Sequence, residues 1–285
     1  MAQPCVSIVA PQLSENTRKE FEQKLSGAKT EYEKNTTDAD AIVWYGRRTA
    51  YLGDYMKAID IFTKGISIHP GDARLYRHRG HRYITVRCFD KAISDFKKAA
   101  QIIKGKPDEV EPDGLPNTKN IPTSTLQSNI WYHLGLAYFI KGDYKKAAKA
   151  YKRCLKVSTN DDMYIATFNW AYLTLLKLGK SKQAKELYYS FNRNAEIIEN
   201  FDYLRIYYNL YTNKPYEKDV DKDASLMMKD MGPLSIATMS FAVGYYCLVK
   251  GYKEKASFYF QKAVTTNQWS SFGYIAAEAQ LAKMK

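Results

Sequence analysis

A short pattern recurs in one register along most of the chain, and it limits what the chain can fold into. "AIDIF" (58–62), "AISDF" (92–96), "AAKAY" (147–151) and "ASFYF" (256–260) each read as Ala, three residues, then an aromatic. Twelve residues before each Ala stands a Gly, at Gly46, Gly80, Gly135 and Gly244. A weaker copy, "AKELY" (184–188), has Tyr172 in the Gly position. Ala58 and Ala92 are 34 residues apart. Ala92 to Ala147 is one such step with 21 residues inserted, and Ala147 to Ala184 is one step with three added. Ala184 to Ala256 is two steps with four added. A fixed period of this length marks a repeat of one supersecondary unit.

Each unit reads as two helices. Gly and Ala are small where the helices cross, so the backbones approach closely and the aromatic fills the layer beside them. "LGDY" (52–55), "KGDY" (141–144) and "KGYK" (250–253) supply the turns, with Gly closing the first helix. Such a hairpin is apolar on two faces and must stack on its neighbours. Outside the repeats, "LSENTRKEFEQKLSGAKTEYEK" (13–34) reads as a leading helix capped by Ser14, with Phe21, Leu25, Ala28 and Tyr32 on one stripe. The stretch 104–125 carries four prolines and reads as a long loop, a kind of segment that is functional or disordered.

The 34-residue step and its signature resemble the tetratricopeptide repeat. "WYHLGLAY" (131–138) fits the first half of that family's pattern, and "AIDIF" followed by Pro70 fits the second. Over nearly its full length the chain is also similar to bacterial tetratricopeptide proteins of unassigned function, through "WYGRRTAYLGDY" (44–55), "RLYRHRGHRYI" (74–84), "PDEVEPDGLPN" (107–117) and "NIPTSTLQSNIWYHLGLA" (120–137). The resemblance implies an all-α, right-handed superhelical solenoid of helical hairpins with capping helices and one long loop. The expected layout is a disordered tail over 1–12, a leading helix over 13–38 and two repeats over 39–104. A Pro-rich acidic loop (105–125), two repeats (126–199), a divergent helix pair (200–234), a fifth repeat (235–268) and a capping helix (269–285) follow.

The same resemblance says where a ligand would lie, on the second, fifth, ninth and twelfth positions of each first helix. Those positions give Arg47, then Arg74, Arg77 and His81, then Tyr132 and Phe139, and finally Phe241 and Tyr245. The implied groove is basic towards the N-terminus and aromatic towards the C-terminus. It suits a peptide with acidic groups or a free C-terminal carboxylate plus apolar anchors, because Arg forms paired hydrogen bonds to carboxylates. Some members hold chaperone tails with Lys and Asn; this chain has Arg and His instead.

Arg79 occupies a position that is ordinarily apolar, so it needs a partner. The acidic run "DEVEPDG" (108–114) is the expected source of that partner, folded over the arginine-rich helix. If it fills the groove, the alternative is an assembly scaffold that uses its edges and the 105–125 loop. Trp44, His78, His133 and Trp170 fall at one register position, a row that serves packing or else a glycan-binding or hydrolytic protein.

Enzyme chemistry has little support. No phosphate loop, HExxH or GxSxG motif occurs, and the acids and histidines are scattered. No cofactor is expected. His78 and His81 lie three apart but have no carboxylate beside them in sequence, so no metal is expected either. Four scattered cysteines indicate no disulfide framework. The net charge of +13 and the 24 tyrosines permit a nucleic-acid partner. Many lysines, as in "KGDYKKAAKAYKRCLK" (141–156), fall on second helices, where a solvated outer face explains them, so protein or peptide is the expected partner. The opening "MAQPCVSIVAPQ" reads either as a frayed end or as a mature end whose export signal is gone; an exported or periplasmic location is slightly favoured over a cytoplasmic one.

Overall fold

The computed structural model describes residues 5–112, 114–211 and 220–284. Among these residues there are fourteen helices and no strand. The chain divides into two compact units, Met1–Leu115 with Thr125–Ala137, and Pro116–Ser124 with Tyr138–Lys285. No helix among the described residues is long and apolar enough to cross a membrane.

The first unit holds α1 (Glu15–Lys34), α2 (Ala39–Tyr51), α3 (Tyr55–Ile68), α4 (Ala73–Thr85), α5 (Phe89–Ile102) and the start of α6 (Leu126–Lys141). Successive helices pack on one another as two hairpins, α2–α3 and α4–α5, with α1 against α2. Side-chain caps start these helices: the Ser14 hydroxyl accepts from Thr17 N–H, and Asp38 accepts from Ala41 N–H.

The structure explains the repeated Gly and aromatic. A Cβ on Gly46 would lie 2.5 Å from Phe62, and one on Gly80 would lie 2.9 Å from Phe96. Each Gly of a first helix thus gives up its side chain to the ring of its own second helix, which lies fully buried. The turn glycines Gly53, Gly142 and Gly251 all have φ near +90° (93°, 92° and 88°), the left-handed conformation that ends a helix.

The second unit holds the end of α6, then α7 (Tyr144–Val157), α8 (Asp161–Lys177), α9 (Ser181–Ser190), α10 (Phe201–Leu210), α11 (Val220–Met228), α12 (Pro233–Val249), α13 (Lys253–Val264) and α14 (Phe272–Met284). Here α12 touches α8, α10, α11, α13 and α14. Its apolar sequence, "PLSIATMSFAVGYYCLV", suits a helix enclosed on several sides.

Two expectations fail at the N-terminus. Residues 5–12 are not a free tail: Cys5 N–H donates to the Val86 carbonyl (3.3 Å), and the Pro11 ring lies against Gly53. Cys5 and Cys88 also form a disulfide across 83 residues. A separation that long leaves no spacing signature, so the pattern of cysteines could not reveal it. Cys154 and Cys247 are free and buried. Reducing the Cys5–Cys88 bond should lower stability by about 2–4 kcal/mol, as opening a native loop closure commonly does. Thermal midpoints with and without reductant test this; equal midpoints, with two extra thiols titrated after reduction, would refute it.

Candidate functional site: a cationic pocket in the first unit

Helices α2 and α4 place Arg47, Arg77, His78, His81 and Arg82 around one cavity of about 110 Å³, which Tyr51, Ala50 and Phe62 complete. Arg77 is buried, and its Nη2 lies 3.0 Å from Glu111 Oε1 in the long loop. Arg77 Nη1 also donates to His78 Nδ1 (3.0 Å), while Glu111 Oε2 accepts from Asn129 Nδ2 of α6 (3.1 Å). Beside them Arg48 donates to the Gly114 carbonyl (2.6 Å), tying the loop to α2. Arg47 lies over the Trp44 ring at 4.5 Å from its centroid, and Arg82 lies near the Tyr55 ring at 5.9 Å. Among the described residues, Glu111 is the one carboxylate within ion-pair reach of these three pocket arginines.

The electrostatics follow from burial. Desolvation pulls the Arg82 guanidinium down to about 10, and the charges of Arg77 and Arg47 add to the pull. Burial lowers Arg77 as well, against the opposing attraction of Glu111. The His78, His81 and His133 imidazoles are held well below their usual range, first by burial and then by neighbouring cations: Arg77 for His78 and His133, Arg82 for His81. The histidines are therefore neutral hydrogen-bonding groups, and the positive charge belongs to the arginines.

Of the eight residues expected to face a ligand, the structure brings Arg47, Arg77 and His81 to this cavity. Arg74 stands apart. It is bound by Asp72 (2.7 Å) and also by Asp40, and the Asp72 hydrogen bonds raise its guanidinium well above the usual value. The four aromatics are interior. Tyr132 packs edge-on to His133, 5.3 Å between centroids. Phe139, Phe241 and Tyr245 form one ring cluster in the second unit, with Phe139 4.7 Å from Tyr245 and Phe241 stacked on Trp170 at 5.0 Å. They are at most 1% exposed and so present almost no surface.

Arg79 pairs with Asp95 of α5, Nε–Oδ2 2.8 Å and Nη2–Oδ1 2.7 Å, and not with the acidic loop that its position suggests. The loop instead meets the helix at Arg77, two residues away and so on another face of α4. Asp113 of the acidic run lies outside the described residues. In the row of rings, His78 stacks on Phe62 (5.7 Å), His133 on Phe96 (5.7 Å) and Trp170 on Phe241 (5.0 Å), so these three are packed against neighbouring aromatics. Arg82, Tyr51 and Glu111 are site residues that the register positions miss. The signal for Arg82 lay in the density of arginine along α4; Glu111 stood in the acidic run, with nothing to single it out from its neighbours.

One stretch of the chain matches a known family, and parts of it are similar to known proteins. Residues 128–161 match the family model "Tetratricopeptide repeat". The human "Tetratricopeptide repeat protein 13" is 30% identical over 105 residues, which are 37% of this chain and 10% of that protein. An Aspergillus fumigatus protein, "Heat-shock protein cognate (HSC) co-chaperone sgt12", is 27% identical over 125 residues, 44% of this chain and 30% of that protein. The matched parts thus span a tenth and under a third of these relatives. Among solved structures, YrrB, described as "a TPR protein with an unusual peptide-binding site", superposes with a TM-score of 0.46 at 16% identity, covering 90% of this chain and 98% of that one. MamA of Desulfovibrio magneticus RS-1 gives a TM-score of 0.45 at 18% identity, over 61% of this chain and 85% of that one. The fold is all-α, built from paired helices. Residues 128–161, in α6 and α7 and the turn that follows, carry a tetratricopeptide repeat.

Proposed function

We propose that the chain is a non-catalytic protein-interaction scaffold whose first unit takes an acidic peptide, held by its carboxylate at the Arg47–Arg77–Arg82 pocket. The observation that carries this reading is the charge imbalance there, three guanidinium groups against the single carboxylate of Glu111 among the described residues. Guanidinium forks bind carboxylates with two parallel hydrogen bonds, which gives direction as well as attraction. The apolar anchors of such a peptide need surfaces other than Phe139, Phe241 and Tyr245, which are interior.

The Arg77–Glu111 pair also supports a second reading, in which the loop is a built-in ligand and the outer edges make the contacts. One binding experiment separates the two. Fluorescent peptides ending in acidic residues are titrated against the intact chain and its Arg47→Gln/Arg82→Gln and Glu111→Gln forms. Carboxylate capture predicts at least about tenfold weaker binding in the double variant, the worth of one lost charged hydrogen bond, and tighter binding once Glu111 no longer competes. Indifference of every peptide to both variants would leave the edge-contact scaffold.

A further inference from the structure

We propose that the cavity between α2 and α4 is a binding site for a tetrahedral oxyanion of the orthophosphate type. It occupies the same pocket as the peptide reading but does not depend on any peptide binding. Arg47, Arg77 and Arg82 bring three positive charges to its walls, and Glu111 answers one of them. Charges taken out of water are costly unless a counter-charge and hydrogen bonds replace the water. Arg77 is 8% exposed, and its Nε–H is buried with no acceptor, although its other nitrogens engage Glu111 and His78. Arg47 is 9% exposed, and its guanidinium rests on the Trp44 ring with no carboxylate partner among the described residues.

The unmet demand at this site is therefore two positive charges and at least one buried donor. A carboxylate supplies one charge and two acceptor atoms in a plane. A doubly charged phosphoryl group supplies two charges and oxygens pointing to the corners of a tetrahedron, so guanidinium groups from two helices can each find an acceptor. The volume fits as well. A water needs roughly 10–15 Å³ of such space, so about 110 Å³ admits a small oxyanion with a water or two. A nucleic-acid strand is far larger, and the flanking loop at Gly114, whose Cβ position is already filled by Tyr51, narrows the approach.

The test is calorimetric titration of the intact chain with sodium phosphate against sodium chloride of equal ionic strength, followed by sulfate, acetate and O-phosphoserine. The expected result is one saturable site for orthophosphate, a similar response to sulfate and a much weaker one to acetate, which brings one charge and two acceptors. Arg47→Gln and Arg82→Gln should each weaken phosphate by about tenfold or more, while Lys149→Gln, at an exposed position of α7, leaves it unchanged. Binding of orthophosphate without O-phosphoserine assigns a free anion; binding of both assigns a phosphorylated side chain as an admissible source. No saturable phosphate signal in the unmodified chain overturns the proposal, whatever the variants do. An undiminished signal in folded Arg47→Gln/Arg82→Gln overturns it too, because the anion then sits elsewhere. Phosphate binding with no peptide capture would end the peptide reading alone, and the reverse result would end this one alone.

Discussion

Glu111→Gln should destabilise the first unit by about 3–5 kcal/mol, the usual consequence of deleting one member of a buried ion pair. The carboxylate is 7% exposed and lies against an Arg77 that is 8% exposed, so solvent offers that guanidinium little compensation. The same change weakens the hydrogen bond from Asn129, which ties the loop to α6. In a chain of this size each kcal/mol moves a thermal midpoint by roughly 2–4 °C, so a fall on the order of 10 °C is expected in the transition of this unit. A scanning-calorimetry trace that superposes on the unmodified one would show that Arg77 does not need Glu111.

Asp162→Ala should cost about 4 kcal/mol or more, from the loss of three charge-assisted hydrogen bonds at once. Asp162 lies in the first turn of α8 with no exposed surface. Its carboxylate accepts from the backbone N–H groups of Ile198 (2.8 Å), Glu199 (2.9 Å) and Asn200 (2.8 Å), while Asp161 accepts from Glu196 N–H (3.0 Å). Together the two acids pin the irregular segment between α9 and α10, and they also favour the positive end of the α8 dipole. Alanine would leave three amides to find water or remain unpaired. Denaturant unfolding measures the loss, and proteolysis within 192–200 reports it locally. An Asp162→Ala chain as stable and as resistant as the parent would show that the segment is held by other means.

The hairpins were legible because their signature is physical. Gly46 with Phe62 and Gly80 with Phe96 are both 16 residues apart, and that spacing brings a bare backbone under a ring wherever it recurs. The same offset links Arg79 to Asp95, one residue before Gly80 and Phe96. The partner of Arg79 was therefore encoded in the repeat, although the acidic loop is the more conspicuous source of negative charge. The pocket was half legible. Positions borrowed from the family found Arg47, Arg77 and His81, but the same positions in α12 yield Phe241 and Tyr245, because several helices enclose α12 and its rings become core. Glu111 lay beyond reach, since an irregular loop has no period from which to tell which of its acids turns inward. The cysteine pair was hidden for the same reason.

The bond between Cys5 and Cys88 makes a closed covalent ring, and Arg47, Arg77 and Arg82 all belong to it. A single backbone cut anywhere inside that ring cannot release a fragment, because the two new ends stay joined through sulfur. A nicked molecule would gain only the mass of one water and part into two pieces only after the thiols are restored.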